Sequence, residues 1–122
     1  MNTGLSHTST LIIEDRHLAV NVGSGDLPVL ATPVMMSLME NAAMLAVSPE
    51  LGDDESTVGS QIASSHLHPT PSGATITATA TLTAVEGRKL TFHVEAFDPK
   101  GKIGEGEHTR YIISRTRFMA KL

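Results

Sequence analysis

The chain of 122 residues predicts an α+β domain, an antiparallel β-sheet wrapped around one long central α-helix. Three observations predict it. The stretch from Thr32 to Val47 reads as a single, mostly apolar helix. Between Ser56 and Ser114 the pattern changes to period-two alternation, cut by turn-forming ProThrProSerGly, GluGlyArg and AspProLysGly. The strands are rich in Ala and Thr while aromatic residues make up only 3% of the chain, so the sheet has little thickness to keep it from closing on a helix. A single domain spanning 1–122 is expected, of a size that buries roughly two-thirds of its extended-chain surface.

In chain order, Met1 to Ser9 reads as a loose leader. Thr10 to Val22 carries LeuIleIle and LeuAlaValAsnVal around GluAspArgHis and reads as a strand with a break. Gly23-Ser24-Gly25-Asp26 is turn chemistry, and Leu27 to Ala31 delivers the chain to the helix. Thr32 is suited to cap that helix and Pro33 to occupy its first position, where a missing N–H costs nothing. Ser37, Glu40, Asn41 and Ser48 form a narrow polar strip on an otherwise apolar surface. Ser48-Pro49 ends the run, because a residue before proline is pushed out of the helical region.

Residues 49–55 form an exposed connection. From Ser56 to His68 a strand is expected, with Val58, Ser60, Ile62, Ser64 and His66 on one face and Gly59, Gln61, Ala63 and Ser65 on the other. Ala74 to Val85 alternates threonines at 75, 77, 79, 81 and 83 with small or aliphatic residues, one face wet and one buried. A hairpin at Glu86-Gly87-Arg88 leads into Lys89 to Asp98, and a second turn into Lys102 to Ser114. Gly104 and Gly106 mark either a bulge or a close backbone approach. A short basic tail, 115–122, closes the chain. The expected order is one strand, the helix, then four consecutive antiparallel strands joined by tight turns.

Composition excludes several classes of function. A net charge of −4, a single Tyr and three Phe argue against a nucleic-acid surface. The first ten residues are polar, and no apolar run approaches the roughly 18 residues that span a bilayer, so secretion and membrane insertion are not expected. Cysteine is absent, which removes disulfides and thiolate metal sites and makes the cytoplasm the default location.

Several short stretches, in this order and spacing, carry a specific resemblance: LeuAlaThrPro at 30–33, LeuMetGlu at 38–40, ThrValGly at 57–59 with the strand running on to His66, ThrPro at 70–71 with Gly73, ValGluGlyArgLysLeuThrPhe at 85–92, and GlyGluGlyGluHisThrArg at 104–110. From about Leu11 to Phe118 the chain resembles the hotdog-fold acyl-CoA thioesterases, specifically the fluoroacetyl-CoA thioesterase-like group. The resemblance implies a hotdog fold, a homodimer or higher homo-oligomer with sites at the subunit boundary, and thioester hydrolysis with no cofactor beyond the coenzyme A of the substrate. It places the family's catalytic threonine, glutamate and histidine on Thr32, Glu40 and His66. The glycine whose N–H lies near the substrate carbonyl falls on Gly59. One departure stands out. The member selective for fluoroacetyl-CoA has phenylalanines just before the helix, and here 22–31 holds no aromatic residue, so the resemblance carries the reaction type and not the fluoroacyl preference. No Asp–His pair at the short spacing of hotdog dehydratases and hydratases is present at the helix entry.

Thioester hydrolysis needs an activated water or nucleophile, a proton shuttle, and donors aimed at the developing oxyanion. Glu40 serves as general base or attacks directly to give an anhydride; apolar neighbours in mid-helix are the expected setting, and the alternative is a carboxylate on an exposed strip. Thr32 either positions the thioester, attacks with His66 taking its proton, or is simply a cap. His66 shuttles protons or is a half-buried strand end, and His66 with His68 raises a metal site for which spacing marks no third ligand. Gly59 allows a carbonyl to approach, or merely gives the strand freedom. His108 and Arg110 read as ordinary surface residues. Arg88, Lys89, Lys100, Lys102, Arg110, Arg115 and Arg117 offer cations for CoA phosphates without forming a phosphate-loop motif. The rival to an enzyme is a hotdog domain that binds an acyl-CoA or another apolar ligand without turning it over.

Overall fold

A computed structural model describes residues 1–122. Five strands, β1 Ser6–Ile12, β2 Glu55–Ser64, β3 Thr75–Glu86, β4 Lys89–Asp98 and β5 Gly101–Ser114, form one antiparallel sheet in the order β1-β3-β4-β5-β2. Across it lies α2, Thr32–Val47, with the short helices α1, Ala19–Val22, and α3, Arg115–Met119, at the periphery. No helix is long and apolar enough to cross a membrane.

The long helix has the expected bounds, and small residues explain its seat. Met35, Met39, Ala42, Ala43, Ala46 and Val47 are buried against Ile76, Ala78, Ala80 and Leu82 of β3 and Leu90, Phe92, Val94 and Ala96 of β4. Alanines on both surfaces let the helix approach closely, and dispersion over many short contacts holds it there. Its packing is lopsided. α2 lies mostly over β3 and β1 and barely over β2, so its flank toward β2 stays open. The expected polar strip is split by this seating: Asn41 turns to β1, where its Oδ1 accepts from Ser9 Oγ at 2.7 Å, and Glu40 turns to the open flank.

Four expectations need correction. Ser6 to Ser9 belong to β1 rather than to a loose leader, pairing with β3 from Ser6↔Thr81 to Ile12↔Thr75. The strand was hidden because its one buried residue is the polar Ser9, with His7 on the same side exposed, which gives no apolar alternation. Thr10 to Val22 is not one strand, since after Ile12 the chain makes a 3-10 turn at Asp15–His17 and then α1. LeuAlaVal there serves to bury Leu18, which bridges Leu30, and Gly23 ends the turn in the left-handed conformation, φ 94°. The four later strands are not all neighbours. β2 lies on the far edge beside β5, and residues 65–74 carry the chain across the helix entry, where Thr70 O accepts from Leu30 N at 2.8 Å. Two prolines, Pro69 and Pro71, make that crossing a strut rather than a hairpin. The basic tail begins as helix α3, capped by Ser114, whose side chain accepts from Arg117 N.

Gly104 and Gly106 are close approaches. A Cβ at Gly104 would lie 2.7 Å from both Met35 Sδ and Ser65 O, and one at Gly106 would enter the Ala63 and Ser64 backbone. The helix and β2 therefore sit tightly against β5, which sets the floor of the open flank.

Candidate active site

One turn apart along α2, Thr32, Met36 and Glu40 face the open flank. Thr32 does not cap the helix. The cap position belongs to Ala31, whose carbonyl accepts from Val34 N and Met35 N at 3.1 and 3.2 Å and whose side chain makes no cap bond. Pro33 thus sits second rather than first. Freed from capping, the Thr32 hydroxyl meets His66 Nδ1 at 2.7 Å. His66 lies beyond the end of β2, where Ser65 N and Leu67 N still bond to Glu105 O and Ile103 O of β5. Its Nε2 is buried with no hydrogen-bond partner. Burial pulls the imidazole below its usual range, with a smaller opposing pull from the His68 backbone.

At the other end Glu40 faces a buried polar network. A bulge between Gly59 and Gln61 leaves Ser60 unpaired and shifts the strand's facing. Gly59 thereby comes to lie opposite Arg110 and Ile62 opposite His108, both partners inward, so Gly59 and Ile62 share a face, contrary to the simple alternation. A Cβ at Gly59 would stand 2.9 Å from Glu40 Oε2, 3.1 Å from His108 Cε1 and 3.2 Å from Arg110 Nη1. Only glycine lets these three groups close on the strand at this point.

Arg110 is held from three sides. Its Nε donates to Thr57 Oγ1 at 2.8 Å, its Nη2 to Thr57 O at 2.9 Å, and its Nη1 to His108 Nε2 at 3.1 Å. His108 Nδ1 lies 2.7 Å from Gln61 O, so that nitrogen carries the proton and Nε2 is the acceptor facing Arg110. The result is a neutral imidazole, and burial pulls it below the usual range while Arg110 adds to the effect and the Gln61 carbonyl and Glu40 oppose it. Burial also lowers the Arg110 guanidinium, with Glu40 opposing. Arg110 Nη1 stands 3.8 Å from Glu40 Oε2, the arginine side chain 8% exposed and the glutamate 42%. The carboxylate is anchored at the mouth of the site by a charge held behind it. Its setting is a buried cation beside an open face, not the apolar surroundings the sequence suggested.

His108 and Arg110 are thus the residues that sequence reasoning missed, being 1% and 6% exposed. A signal was present. On β5 the face carrying Gly104, Gly106, His108 and Arg110 alternates with one carrying Glu105, Glu107, Thr109 and Tyr111, and the face with two carboxylates is the one that stays wet.

Thr32 with His66, and Glu40 with Gly59, form two separate clusters. Eight residues of helix between Thr32 and Glu40 amount to a rise of about 12 Å. For a cation, the side chains that converge are His93, Glu95 and Glu105 on the outer face rather than His66 and His68. His93 Nε2 is 2.8 Å from Glu95 and 3.1 Å from Glu105, and the Lys102 ammonium already bridges the two glutamates at 3.6 and 3.1 Å.

Comparison with known proteins identifies the family and the fold. The family described as fluoroacetyl-CoA-specific thioesterase matches residues 13–116. A fluoroacetyl-CoA thioesterase from Streptantibioticus cattleyicolor is 43% identical over 94 residues, covering 77% of this chain and 68% of that protein. Among solved structures, a Thr-to-Ser variant of the fluoroacetyl-CoA thioesterase in complex with acetyl-CoA superposes with a TM-score of 0.94 at 33% identity, covering 99% of this chain and 96% of the other. A Thermus thermophilus member of the thioesterase superfamily, 24% identical, superposes with a TM-score of 0.91 over 98% of this chain and 89% of its own, a likeness of fold. The fold is the hotdog fold, as the resemblance implied.

Proposed function

The chain belongs to the fluoroacetyl-CoA-specific thioesterase family, and from that premise we propose that it hydrolyses an acyl-CoA thioester to a free acid and CoA. One observation carries the reading: a partly exposed carboxylate, Glu40, stands against a strand glycine with a buried arginine 3.8 Å behind it. In this role Glu40 activates water or attacks the thioester carbon, and the Gly59 N–H serves the carbonyl oxygen as it gains charge. Arg110 keeps the carboxylate aimed.

Thr32 acts as a donor rather than a nucleophile. If Nδ1 of His66 took the Thr32 proton, Nε2 would have to carry the buried, partnerless hydrogen, the costlier of the two arrangements. With the proton on Nδ1, His66 donates to Thr32 Oγ1, and the threonine hydrogen is free for the substrate. The acyl group is small or medium in size, and with no aromatic residue over 22–31 a fluoroacyl preference is not carried over.

The working unit is a homodimer or larger assembly in the cytoplasm. Two features support a shared site: β2 is an edge strand that carries Gly59 and leads to His66, and Thr32 stands too far from Glu40 to act on the same atom within one chain. A second copy against the β2 edge would bring the two kinds of cluster together.

The test is thiol release from short, branched, aromatic and long acyl-CoAs by the protein and its Glu40→Gln variant, side by side. Turnover by the unmodified protein, falling about 10³-fold in the variant, is the expected result. Tight binding of an acyl-CoA with no turnover by either protein would make this a ligand-binding domain instead.

A further inference from the structure

The cations that the sequence scatters along the chain are sorted by the fold. Arg110 is committed to the Glu40 network. Lys102 is neutralised by Glu95 and Glu105, and the cavity it shares with Lys100 contains the Asp98 carboxylate. A different cavity, of about 180 Å³, gathers Arg88, Arg117 and Lys121 around Ile112, Ile113 and Phe118, with no acidic residue in its lining. Arg88 is tied to Glu55 at 3.6 Å and to Ile112 O at 3.3 Å. Arg117 and Lys121 make no ion pair, and Lys121 Nζ lies 5.8 Å from the centroid of the Phe118 ring. In a chain with a net charge of −4, this is a local cationic rim around an apolar, partly aromatic floor.

We infer that this cavity, built by Arg88, Arg117, Lys121, Ile112 and Phe118, binds the 3′-phosphoadenosine diphosphate end of a CoA thioester. The inference rests on the thioesterase reading and extends it to a subsite. The chemistry matches part by part. A flat base stacks on apolar and aromatic surface. Phosphates are met by guanidinium forks and an ammonium free to turn toward them. The cavity is small, so it holds the base, and the phosphates lie across its rim.

Position supports the same ligand. From Arg110 to Ser114, β5 runs about 13 Å toward the cavity, a distance of the kind an extended pantetheine arm spans. Between the two lies a second cavity, of about 330 Å³, lined by Met44, Glu55, Ser56, Thr57 and Arg115. Thr57 is the residue that holds Arg110, and Met44 is one turn beyond Glu40. Glu55 lines this second cavity and pairs with Arg88 of the first. The two spaces therefore adjoin, one lined by the Thr57 that holds Arg110 and the other ringed by cations.

The experiment uses the whole chain and its Arg117→Ala/Lys121→Ala variant, both side chains being exposed. Calorimetric titration with adenosine 3′,5′-bisphosphate should show binding to the unmodified protein, weakened about tenfold or more in the variant. In thiol-release assays the rise in KM should be about tenfold larger for an acyl-CoA than for the same acyl group on pantetheine, which lacks the nucleotide. Equal nucleotide binding by both proteins, no binding by either, or equal KM penalties on the two thioesters would overturn the subsite. If neither thioester is hydrolysed, the thioesterase reading fails by itself, and the titration still decides whether the cavity takes the nucleotide.

Discussion

Two ends of one helix flank hold polar groups in opposite ways. At Thr32 there is a single hydrogen bond, to His66 at 2.7 Å, and an imidazole nitrogen buried without a partner. At Glu40 there is a network in which Arg110, His108, Thr57 and Gln61 satisfy one another and a glycine admits the carboxylate. An unfinished pair costs free energy until something completes it, whereas a finished network fixes a charge and tolerates little change. The difference teaches which end is rigid and which awaits a substrate or a second subunit. Substitutions should therefore act differently at the two ends.

The larger effect is expected at the rigid end. Gly59→Ala puts a methyl 2.9 Å from Glu40 Oε2, and its neighbours on β5, His108 and Arg110 at 3.1 and 3.2 Å, leave little room to shift. The carboxylate is the flexible member and should give way, at modest cost to folding. Thiol release should then drop about 10²-fold, as for loss of a positioned base or oxyanion donor, while the thermal midpoint moves by only a few degrees. A large fall in the midpoint with activity intact in the remaining folded protein would show that the glycine serves packing alone.

Thr32→Val tests the unfinished end. It keeps shape, removes the hydroxyl, and leaves His66 Nδ1 without its partner, so a loss of about tenfold in kcat is expected from the lost donor. Collapse to the level of Glu40→Gln would instead make Thr32 the nucleophile. That result would reverse the roles assigned to the two ends.

How much of this was legible in sequence follows the same division. The long helix, the hairpin at 86–88 and the threonine-faced strand announce themselves because apolar periodicity and turn residues agree. Ser6 to Ile12 does not, because an edge strand with polar inward residues has no period to read. The bulge at Ser60 is invisible to counting, yet it alone moves Gly59 to the inner face. Arg110 and His108 were misplaced because charged and titratable residues default to the surface, and only their partners across β2 make burial affordable. Of the four residues singled out beforehand, the structure joins them two by two, a grouping that no spacing along the chain could have supplied.

The smallest effect expected is on stability, and it separates the ends through their histidines. Both His66 and His108 are pulled below the ordinary value of 6.5 by burial, so the folded protein favours the neutral ring. As pH falls below 6.5 the unfolded chain takes up protons that the folded chain refuses, so unfolding is favoured and the thermal midpoint declines; above 6.5 neither state binds these protons and the curve is flat. The carboxyls that folding lowers, Asp54 and Glu105, have ordinary values of 3.8 and 4.5, and their losses begin in more acidic solution. Between about pH 5 and 6.5 the slope therefore belongs to the histidines. His108, locked between Gln61 O and the Arg110 guanidinium, has both nitrogens committed, so His108→Gln should flatten that slope more than His66→Gln does. An equal flattening, measured by thermal melts across this window, would mean that the Thr32 end is as tightly closed as the Glu40 end, and the contrast between them would have to be given up.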